Sequence, residues 1–130
     1  MNEAGANILV VDDDPFTAEL TAMVLEMSGY NTIIAEGGPD ALEKMAGDTT
    51  IRAVVSDMYM PLIDGVQLFE ELRRQDFRQP FVLLTGQEAD PLRAAHPDID
   101  AILTKDEQLQ ETLPETLASL FESSKKDEQS

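Results

Sequence analysis

The residues best suited to chemistry in this sequence are polar groups that each follow directly after a short apolar run. These groups are Asp12 with Asp13, Asp57, Thr85 with Gly86, and Lys105. Asp57 is the most informative, because a carboxylate at the end of a buried run costs several kcal/mol unless it has a partner. Either another group pairs with Asp57, or its charge serves a purpose, and the elements that carry the other groups decide between these alternatives.

Short apolar runs alternate with amphipathic segments along the chain, which predicts five strands and five helices. The predicted strands are ILVV at 8–11, NTIIAE at 31–36, IRAVVSD at 51–57, PFVLLTG at 80–86 and DAILTK at 100–105. Continuous apolar runs bounded by turn residues are typical of strands buried on both faces. Because the connections are short, we expect right-handed crossovers and a parallel sheet with helices on both faces, a three-layer α/β/α sandwich.

Start and stop signals place the helices between these runs. Asp14 is a predicted N-cap with Pro15 in the first helical position. The apolar residues of that helix recur on one face, which we interpret as its amphipathic stripe: Phe16, Leu20, Met23, Val24 and Met27. The fourth helix is short, because Pro91 suits a helix start and Pro97 a stop.

Composition limits the function classes that are open to this chain. Its 130 residues predict one domain at 7–122, with an N-terminal tail at 1–6 and a polar C-terminal tail at 123–130. The absence of Cys and the single His96 exclude Cys-based and multi-histidine metal sites. A net charge of −17 disfavours direct nucleic-acid binding. With no membrane-length apolar run and no signal peptide, we expect a cytoplasmic protein without membrane contact.

In a parallel sheet, the polar groups that end the runs meet at one edge, where ligands bind. If the first and third strands are neighbours ~5 Å apart, three carboxylates crowd together and need a cation. All-oxygen ligands suit Mg²⁺. Thr85, the Gly86 N–H and Lys105 are donors for a phosphoryl group on the opposite side. Asp57 is then a nucleophile that forms an acyl phosphate beside the metal.

Each residue also has an ordinary structural explanation. The pair Asp12-Asp13 before a helix could serve as cap and dipole acids, and Asp57 could cap the next segment. Thr85 fits plain β-propensity, and Lys105 fits a solvated charge. We favour the chemical interpretation, because the ordinary ones would each have to place a polar group independently on the same edge of one sheet.

The order and spacing of four motifs closely resemble the receiver domains of two-component response regulators. The motifs are ILVVDDDP, VVSDMYMPLIDG, VLLTG and ILTK, and the resemblance spans about Asn7 to Phe121. It implies a (βα)₅ flavodoxin-like fold with strand order 2-1-3-4-5 and a shortened fourth helix.

The resemblance also implies a role for each site residue. Asp57 would be the phosphoacceptor, Thr85 the switch hydroxyl and Lys105 the phosphate-binding lysine. Mg²⁺, with Mn²⁺ as an alternative, would be bound by Asp13 directly, by Asp12 largely through water, by Asp57 and by the backbone carbonyl of Tyr59. The backbone amides of Met58 and Gly86 would donate to the phosphoryl group.

Three departures from the family pattern fall near the fourth and fifth helices. Asp106 replaces the proline that usually follows the lysine, and Ile102 stands at the aromatic switch position. The 20 positions from Thr85 to Lys105 are slightly fewer than usual and include two prolines. The departures concern the output surface and not the phosphorylation chemistry.

The resemblance implies a phosphoacceptor module of a phosphorelay. Its donor would be a sensor histidine kinase or a histidine phosphotransfer protein, and it would signal through contacts with an unknown downstream protein. It would catalyse its own phosphorylation and dephosphorylation without being a turnover enzyme. We expect a stand-alone receiver, with a fragment of a larger response regulator or hybrid kinase as the alternative. A Mg²⁺-dependent aspartyl-phosphate phosphatase is disfavoured, because it needs an acid where Tyr59 stands.

Overall fold

The computed structural model describes residues 5–129, with side chains described to residue 123. Strands and helices alternate throughout, as the sequence predicts. The strands are β1 (Asn7–Val11), β2 (Asn31–Ala35), β3 (Ile51–Asp57), β4 (Phe81–Thr85) and β5 (Ala101–Thr104). The helices are α1 (Pro15–Glu26), α2 (Gly38–Gly47), α3 (Gly65–Arg74), α4 (Ala89–Ala95) and α5 (Leu109–Gln129).

The five strands form one parallel sheet in the order β2-β1-β3-β4-β5, which confirms the predicted topology. Strand pairing sets Val11 beside Ser56 and Thr85 beside Thr104. The carboxyl ends of β1, β3, β4 and β5 therefore lie along the same edge. The order reverses between β1 and β3, which is the position where parallel sheets of this type bind ligands.

Side chains of the sheet alternate between two apolar layers. Leu9 and Val11 of β1 belong to the layer under α2, α3 and α4, whereas Ile8 and Val10 belong to the layer under α1 and α5. The three inner strands, β1, β3 and β4, are buried on both faces, which explains their continuous apolar runs, whereas the edge strands β2 and β5 are only partly buried. The backbone at the carboxyl edge is thus held between two packed layers.

The face that α1 turns toward the sheet differs from the predicted one. The predicted stripe is largely in solvent, with Phe16 69%, Leu20 48%, Met23 55% and Met27 85% exposed, and only Val24 packs partly against the core. The buried face consists of Ala18, Thr21, Ala22 and Leu25. Small side chains let the helix approach the sheet closely. The large residues are consequently left on the opposite side, and hydrophobic periodicity alone favoured the wrong face.

The ends of the chain and the fourth helix also bear on the sequence predictions. The fourth helix is short, with seven residues from Ala89 to Ala95. The backbone of α5 continues as helix to Gln129, through most of the predicted C-terminal tail, and Pro114 lies inside it. Most of the predicted N-terminal tail, residues 1–4, lies outside the described residues. Within the described part of the chain, no helix is long and apolar enough to cross a membrane.

Candidate functional site

Three carboxylates meet where β1 and β3 end. Asp12 and Asp13 follow β1, Asp57 ends β3, and each offers an oxygen within 4.8 Å of the others. Asp12 is buried, Asp57 is half-buried and Asp13 is exposed. The neighbouring ends of β1 and β3 bring these acids together, as the sequence predicts.

The three aspartates that follow β1, Asp12 to Asp14, have two different roles. The Asp12 carboxylate faces the site and accepts a hydrogen bond from the Asp14 N–H at 2.9 Å. The Asp14 side chain points the other way and accepts from the amides of Phe16 and Thr17, which caps α1. The N-cap explanation therefore holds for Asp14, whereas Asp12 and Asp13 belong to the acidic cluster.

Lys105 lies opposite the acids and compensates part of their charge. Its Nζ atom is 2.5 Å from Asp57 Oδ1 and 3.6 Å from Asp12 Oδ2. Its backbone N–H donates to the Thr85 carbonyl at 2.7 Å, which fixes the end of β5 to the end of β4. The ion pair is only 24% exposed on the lysine side and 14% on the aspartate side, so water screens it weakly.

Burial raises the pKa of Asp12 above its ordinary value of 3.8. The Asp14 amide and the Lys105 ammonium oppose this shift, while the charges of Asp57 and Asp13 add to it. The upward direction of the pKa shift means that burial and the neighbouring negative charges together outweigh the Asp14 amide and the Lys105 ammonium.

Thr85 and Gly86 border the acids on the β4 side. Thr85 is fully buried, and its hydroxyl oxygen accepts the Gln87 N–H at 3.1 Å, which leaves the hydroxyl proton to donate elsewhere. Within residues 5–129, the Gly86 N–H has no hydrogen-bond partner, and a side chain at Gly86 would meet open space. Both groups stand at the end of β4, as predicted.

The amide of Met58, which is predicted to donate to the phosphoryl group, is occupied in this structure. The Met58 N–H donates to the Leu84 carbonyl at 2.9 Å, because the β3–β4 ladder continues one residue beyond β3. It is therefore committed to the sheet. Tyr59, the next residue, has a side chain that is 58% exposed and lines a cleft with Gln87 and Pro91.

Gly65 is a site-supporting residue whose role the sequence did not indicate. The pair Asp64-Gly65 predicts only a helix start, and Asp64 does cap α3 in a reciprocal arrangement with Gln67. A Cβ atom at Gly65 would lie 2.6 Å from the Asp57 carbonyl and 2.3 Å from Leu83 Cδ1. The absence of a side chain lets α3 begin directly against the backbone of Asp57, and an Asp-Gly pair alone carries no signal for that contact.

The donor set fits a hard divalent cation. The cluster offers oxygen ligands only, and three negative charges face one lysine among the described residues. Carboxylate oxygens and surplus negative charge are what Mg²⁺ prefers. Asp12, Asp13 and Asp57 could hold such an ion.

The sequence of this chain is similar to those of response regulators. The response regulator receiver domain model matches residues 8–117. The chain is 33% identical over 107 residues to the transcriptional regulatory protein GlrR of Escherichia coli, which covers 81% of this chain and 24% of GlrR. It is 36% identical over 115 residues to the response regulator MprA of Mycolicibacterium vanbaalenii, covering 87% of this chain and 49% of MprA. The chain thus spans half or less of the length of these two relatives.

Solved structures share the whole fold. Response regulator protein TrrA from Thermotoga maritima, solved with Mg²⁺-BeF, matches with a TM-score of 0.79 and 30% identity over 88% of this chain and 97% of that one. A Francisella response regulator receiver domain matches with a TM-score of 0.82 and 25% identity over 92% and 99%. The receiver domain model matches most of the chain. The sheet also has the strand order that the resemblance implies, with three acids grouped at its carboxyl edge. This chain therefore belongs to the response regulator receiver domain family.

Proposed function

We propose that Asp57 accepts a phosphoryl group from a phosphohistidine on a sensor histidine kinase or a histidine phosphotransfer protein. The observation that carries this proposal is the position of Asp57 between two further acids and Lys105 at the carboxyl edge of the sheet. Receiver domains act with such donors, and the specific donor of this chain is part of the proposal. The reaction needs a positioned nucleophile and compensation of charge more than it needs acid–base chemistry.

The chain's own residues supply the nucleophile and most of its surroundings. A carboxylate oxygen of Asp57 forms a bond to phosphorus while the phosphorus–nitrogen bond to the donor imidazole breaks, and the imidazole keeps the electron pair. Lys105 leaves its contact with the Asp57 carboxylate and pairs with a phosphoryl oxygen. The Thr85 hydroxyl and the Gly86 N–H, both free to donate, contact the remaining oxygens.

Asp12, Asp13 and Asp57, with the carbonyl of Tyr59, would hold Mg²⁺ in this site. The bound ion would neutralise charge on the acids and on the phosphoryl oxygens. TrrA, a similar protein, was solved with Mg²⁺-BeF, which supports this assignment. We expect Mn²⁺ to substitute, because it accepts the same oxygen ligands.

The acidity of the surface supports signalling through protein contacts rather than through nucleic acid. A net charge of −17 repels a phosphate backbone. We therefore propose that this domain acts in the cytoplasm on a protein partner and turns over no external substrate. The relatives that are transcriptional regulators favour a second arrangement, in which this region controls further domains of a longer chain.

Mass spectrometry after incubation with phosphoramidate and Mg²⁺ tests the proposal. The intact protein should gain one phosphoryl group, and Asp57→Asn should gain none. Asp64→Asn is the matched control, because Asp64 caps α3 outside the acidic cluster and Asn caps equally well. Retention of the same single adduct in Asp57→Asn would overturn the assignment.

A further inference from the structure

The first residue of α2 leaves a notch that holds the side chain of Ile63, from the loop after β3. Gly38 is buried, and a Cβ atom added to it would lie 2.0 Å from Ile63 Cγ1 and 2.3 Å from Ile63 Cδ1. Carbon atoms do not approach that closely, so the isoleucine fits only because the helix begins with a residue that has no side chain. Ile63 also packs against the core layer under α2, α3 and α4. We call this packing the Gly38–Ile63 contact.

On the helix side, the contact is fixed to the strand beside the acids. The Ala35 carbonyl at the end of β2 accepts the Asp12 N–H at 3.1 Å. Between that strand and α2, the Asp40 carboxylate accepts the Glu36 N–H at 3.0 Å and holds the turn closed. The position of Gly38 is therefore set with respect to Asp12, through a short and hydrogen-bonded connection.

On the other side, Ile63 belongs to a closed loop that runs from Met58 to Gly65. The two ends meet where the Gly65 N–H donates to the Met58 carbonyl at 2.8 Å. Gly65 is packed against the backbone of Asp57, where a Cβ atom would lie 2.6 Å from the carbonyl oxygen. This end of the loop has no room to move toward β3. A displacement of Ile63 is therefore passed to the other end of the loop, where Tyr59 lies.

The segment between Tyr59 and Ile63 is too stiff to absorb such a displacement. The Ile63 N–H donates to the Pro61 carbonyl at 2.9 Å, and Leu62 between them has a φ of 74°, which defines a γ-turn. A leucine in this region of backbone space is strained and stays there only when its surroundings hold it. Pro61 also has its own φ fixed by its ring. The Gly38–Ile63 contact is one of the interactions that hold this turn.

We propose that Ile63, packed against Gly38, positions the Tyr59 carbonyl relative to Asp12 and thereby sets the affinity of the acidic cluster for Mg²⁺. This inference rests on the proposed function, in which the Tyr59 carbonyl binds the metal. Mg²⁺ requires a nearly regular octahedron of oxygen ligands, so a small displacement of one ligand lowers its affinity. Gly38 and Ile63 would not touch the ion, and they act as positioning residues for the groups that do.

Gly38→Ala pushes the two residues apart and should weaken Mg²⁺ binding to the full chain roughly tenfold, as measured by isothermal titration calorimetry. Ca²⁺ should lose less affinity, because it accepts irregular oxygen geometry. Gly47→Ala is the matched control, because it makes the same change in the same helix at a position where a Cβ atom would meet open space. Asp13→Asn shows which part of the heat comes from the acidic cluster. Circular dichroism confirms that each variant folds.

Ile63→Ala tests the contact from the loop side. It empties the notch, so the loop loses its support and Mg²⁺ binding should weaken, by a smaller factor than in Gly38→Ala. In the double variant, Gly38→Ala with Ile63→Ala, the two Cβ atoms would lie 3.5 Å apart, an ordinary van der Waals contact. The double variant should therefore recover most of the Mg²⁺ affinity that Gly38→Ala loses, which a general loss of stability would not produce.

Three results would overturn the inference and leave the proposed function in place. Wild-type Mg²⁺ affinity in Gly38→Ala, with only a lower Tm, would make the contact purely structural. Equal losses of Mg²⁺ and Ca²⁺ affinity would show that the substitution disturbs the acids rather than the carbonyl. A double variant as weak as Gly38→Ala would show that Ile63 does not carry the effect.

Two further outcomes are also decisive. If Gly38→Ala does not fold, Ile63→Ala decides alone, because unchanged Mg²⁺ affinity in that variant would overturn the inference. If the wild-type chain shows no Mg²⁺ binding that Asp13→Asn removes, the proposed metal site itself is wrong, and the inference falls with it.

Discussion

Lys105 and Asp57 form an ion pair across the carboxyl edge of the sheet, with 2.5 Å between Nζ and Oδ1. The same ammonium lies 3.6 Å from Asp12, so a single cation restrains two acids that would otherwise repel each other. A divalent cation bound by these acids would neutralise the same charges as Lys105. We therefore expect stability and metal binding to be coupled at this site.

Lys105→Met should lower the free energy of unfolding by about 2 kcal/mol without metal, because it leaves buried carboxylates uncompensated. Saturating Mg²⁺ should restore most of that loss, so the stabilisation by Mg²⁺ should be larger in the variant than in wild type. Thermal melts with and without Mg²⁺ measure both quantities.

Lys44→Met is the control for this prediction. Lys44 pairs with Asp40 one turn away on the surface of α2, and because water screens an exposed pair, its loss should change the unfolding free energy far less than the loss of Lys105. If Lys105→Met lowered stability equally with and without Mg²⁺, Lys105 would act through packing rather than through charge.

Asp12→Asn should stabilise the metal-free protein at neutral pH and raise its Tm by ~4 °C. Burial raises the pKa of Asp12, so between the unfolded and folded pKa values the folded state binds more protons than the unfolded state. Stability from this group therefore falls as pH rises through that window. The advantage of Asp12→Asn should be full above the folded pKa and should vanish on acidification below the ordinary value of 3.8.

Asp40→Asn provides a control of opposite sign. The Lys44 partner holds the pKa of Asp40 below its ordinary value, so its contribution is present above the unfolded pKa and is lost as pH falls through the folded one. This variant should be less stable than wild type at neutral pH. Denaturant titrations across pH measure both variants. A loss of stability in metal-free Asp12→Asn at pH 7 would contradict the sign assigned to Asp12.

The sheet and the acidic cluster could be predicted because their signals are local and mutually consistent. Each strand corresponds to a short apolar run in the sequence. Each run is followed by a polar residue at the carboxyl edge of the sheet, as with Asp57 and Lys105. The positions of those residues then follow from the topology of a parallel sheet. The strand order itself came from the resemblance and not from the runs.

Other features depend on contacts that have no sequence signal. The Met58 amide is occupied because the ladder continues to Leu84, and Gly65 is confined by the Asp57 carbonyl. Periodicity does not indicate which face of α1 is buried, because the helix has two faces without charge. Close packing against the sheet favours Ala18 over larger residues such as Phe16, and periodicity cannot weigh that preference.

Tyr59→Asn should speed loss of the phosphoryl group from Asp57 roughly tenfold, or ~1.4 kcal/mol in barrier. The attacking water must approach phosphorus opposite the Asp57 oxygen. Tyr59 and Gln87 line the adjoining cleft, and the tyrosine ring has no amide or carboxylate to orient water. Decay of the phosphorylated protein after removal of the donor, followed by mass spectrometry, measures the rate. Leu62→Asn, in the same loop, should leave it unchanged, and equal decay of Tyr59→Asn and wild type would refute this role.

The last prediction concerns α4, which one side chain ties to the edge of the sheet. Arg93 donates from Nε and Nη2 to the Ile102 carbonyl at 3.0 and 2.6 Å, and from Nη1 to Asp90 at 2.8 Å. Ile102 lies on β5, three residues before Lys105, and it has no ring to turn inward on phosphorylation. In a helix of seven residues with one buried side chain, Ala89, these bonds are a large share of the attachment. Short segments held by few contacts open readily.

We therefore expect the state of Asp57 to change the order of residues 87–97 rather than to move a rigid aromatic side chain. Hydrogen exchange with and without beryllofluoride, which stands in for the phosphoryl group, should differ most in that segment. Without beryllofluoride, Arg93→Gln should speed exchange there roughly tenfold, since hydrogen bonds from a charged group are lost. Arg74→Gln, at an exposed pair on α3, should not. If residues 87–97 exchange identically in both states, the signal leaves instead through α1 and the loop after Asp57, where Phe16 and Leu62 offer exposed apolar contacts.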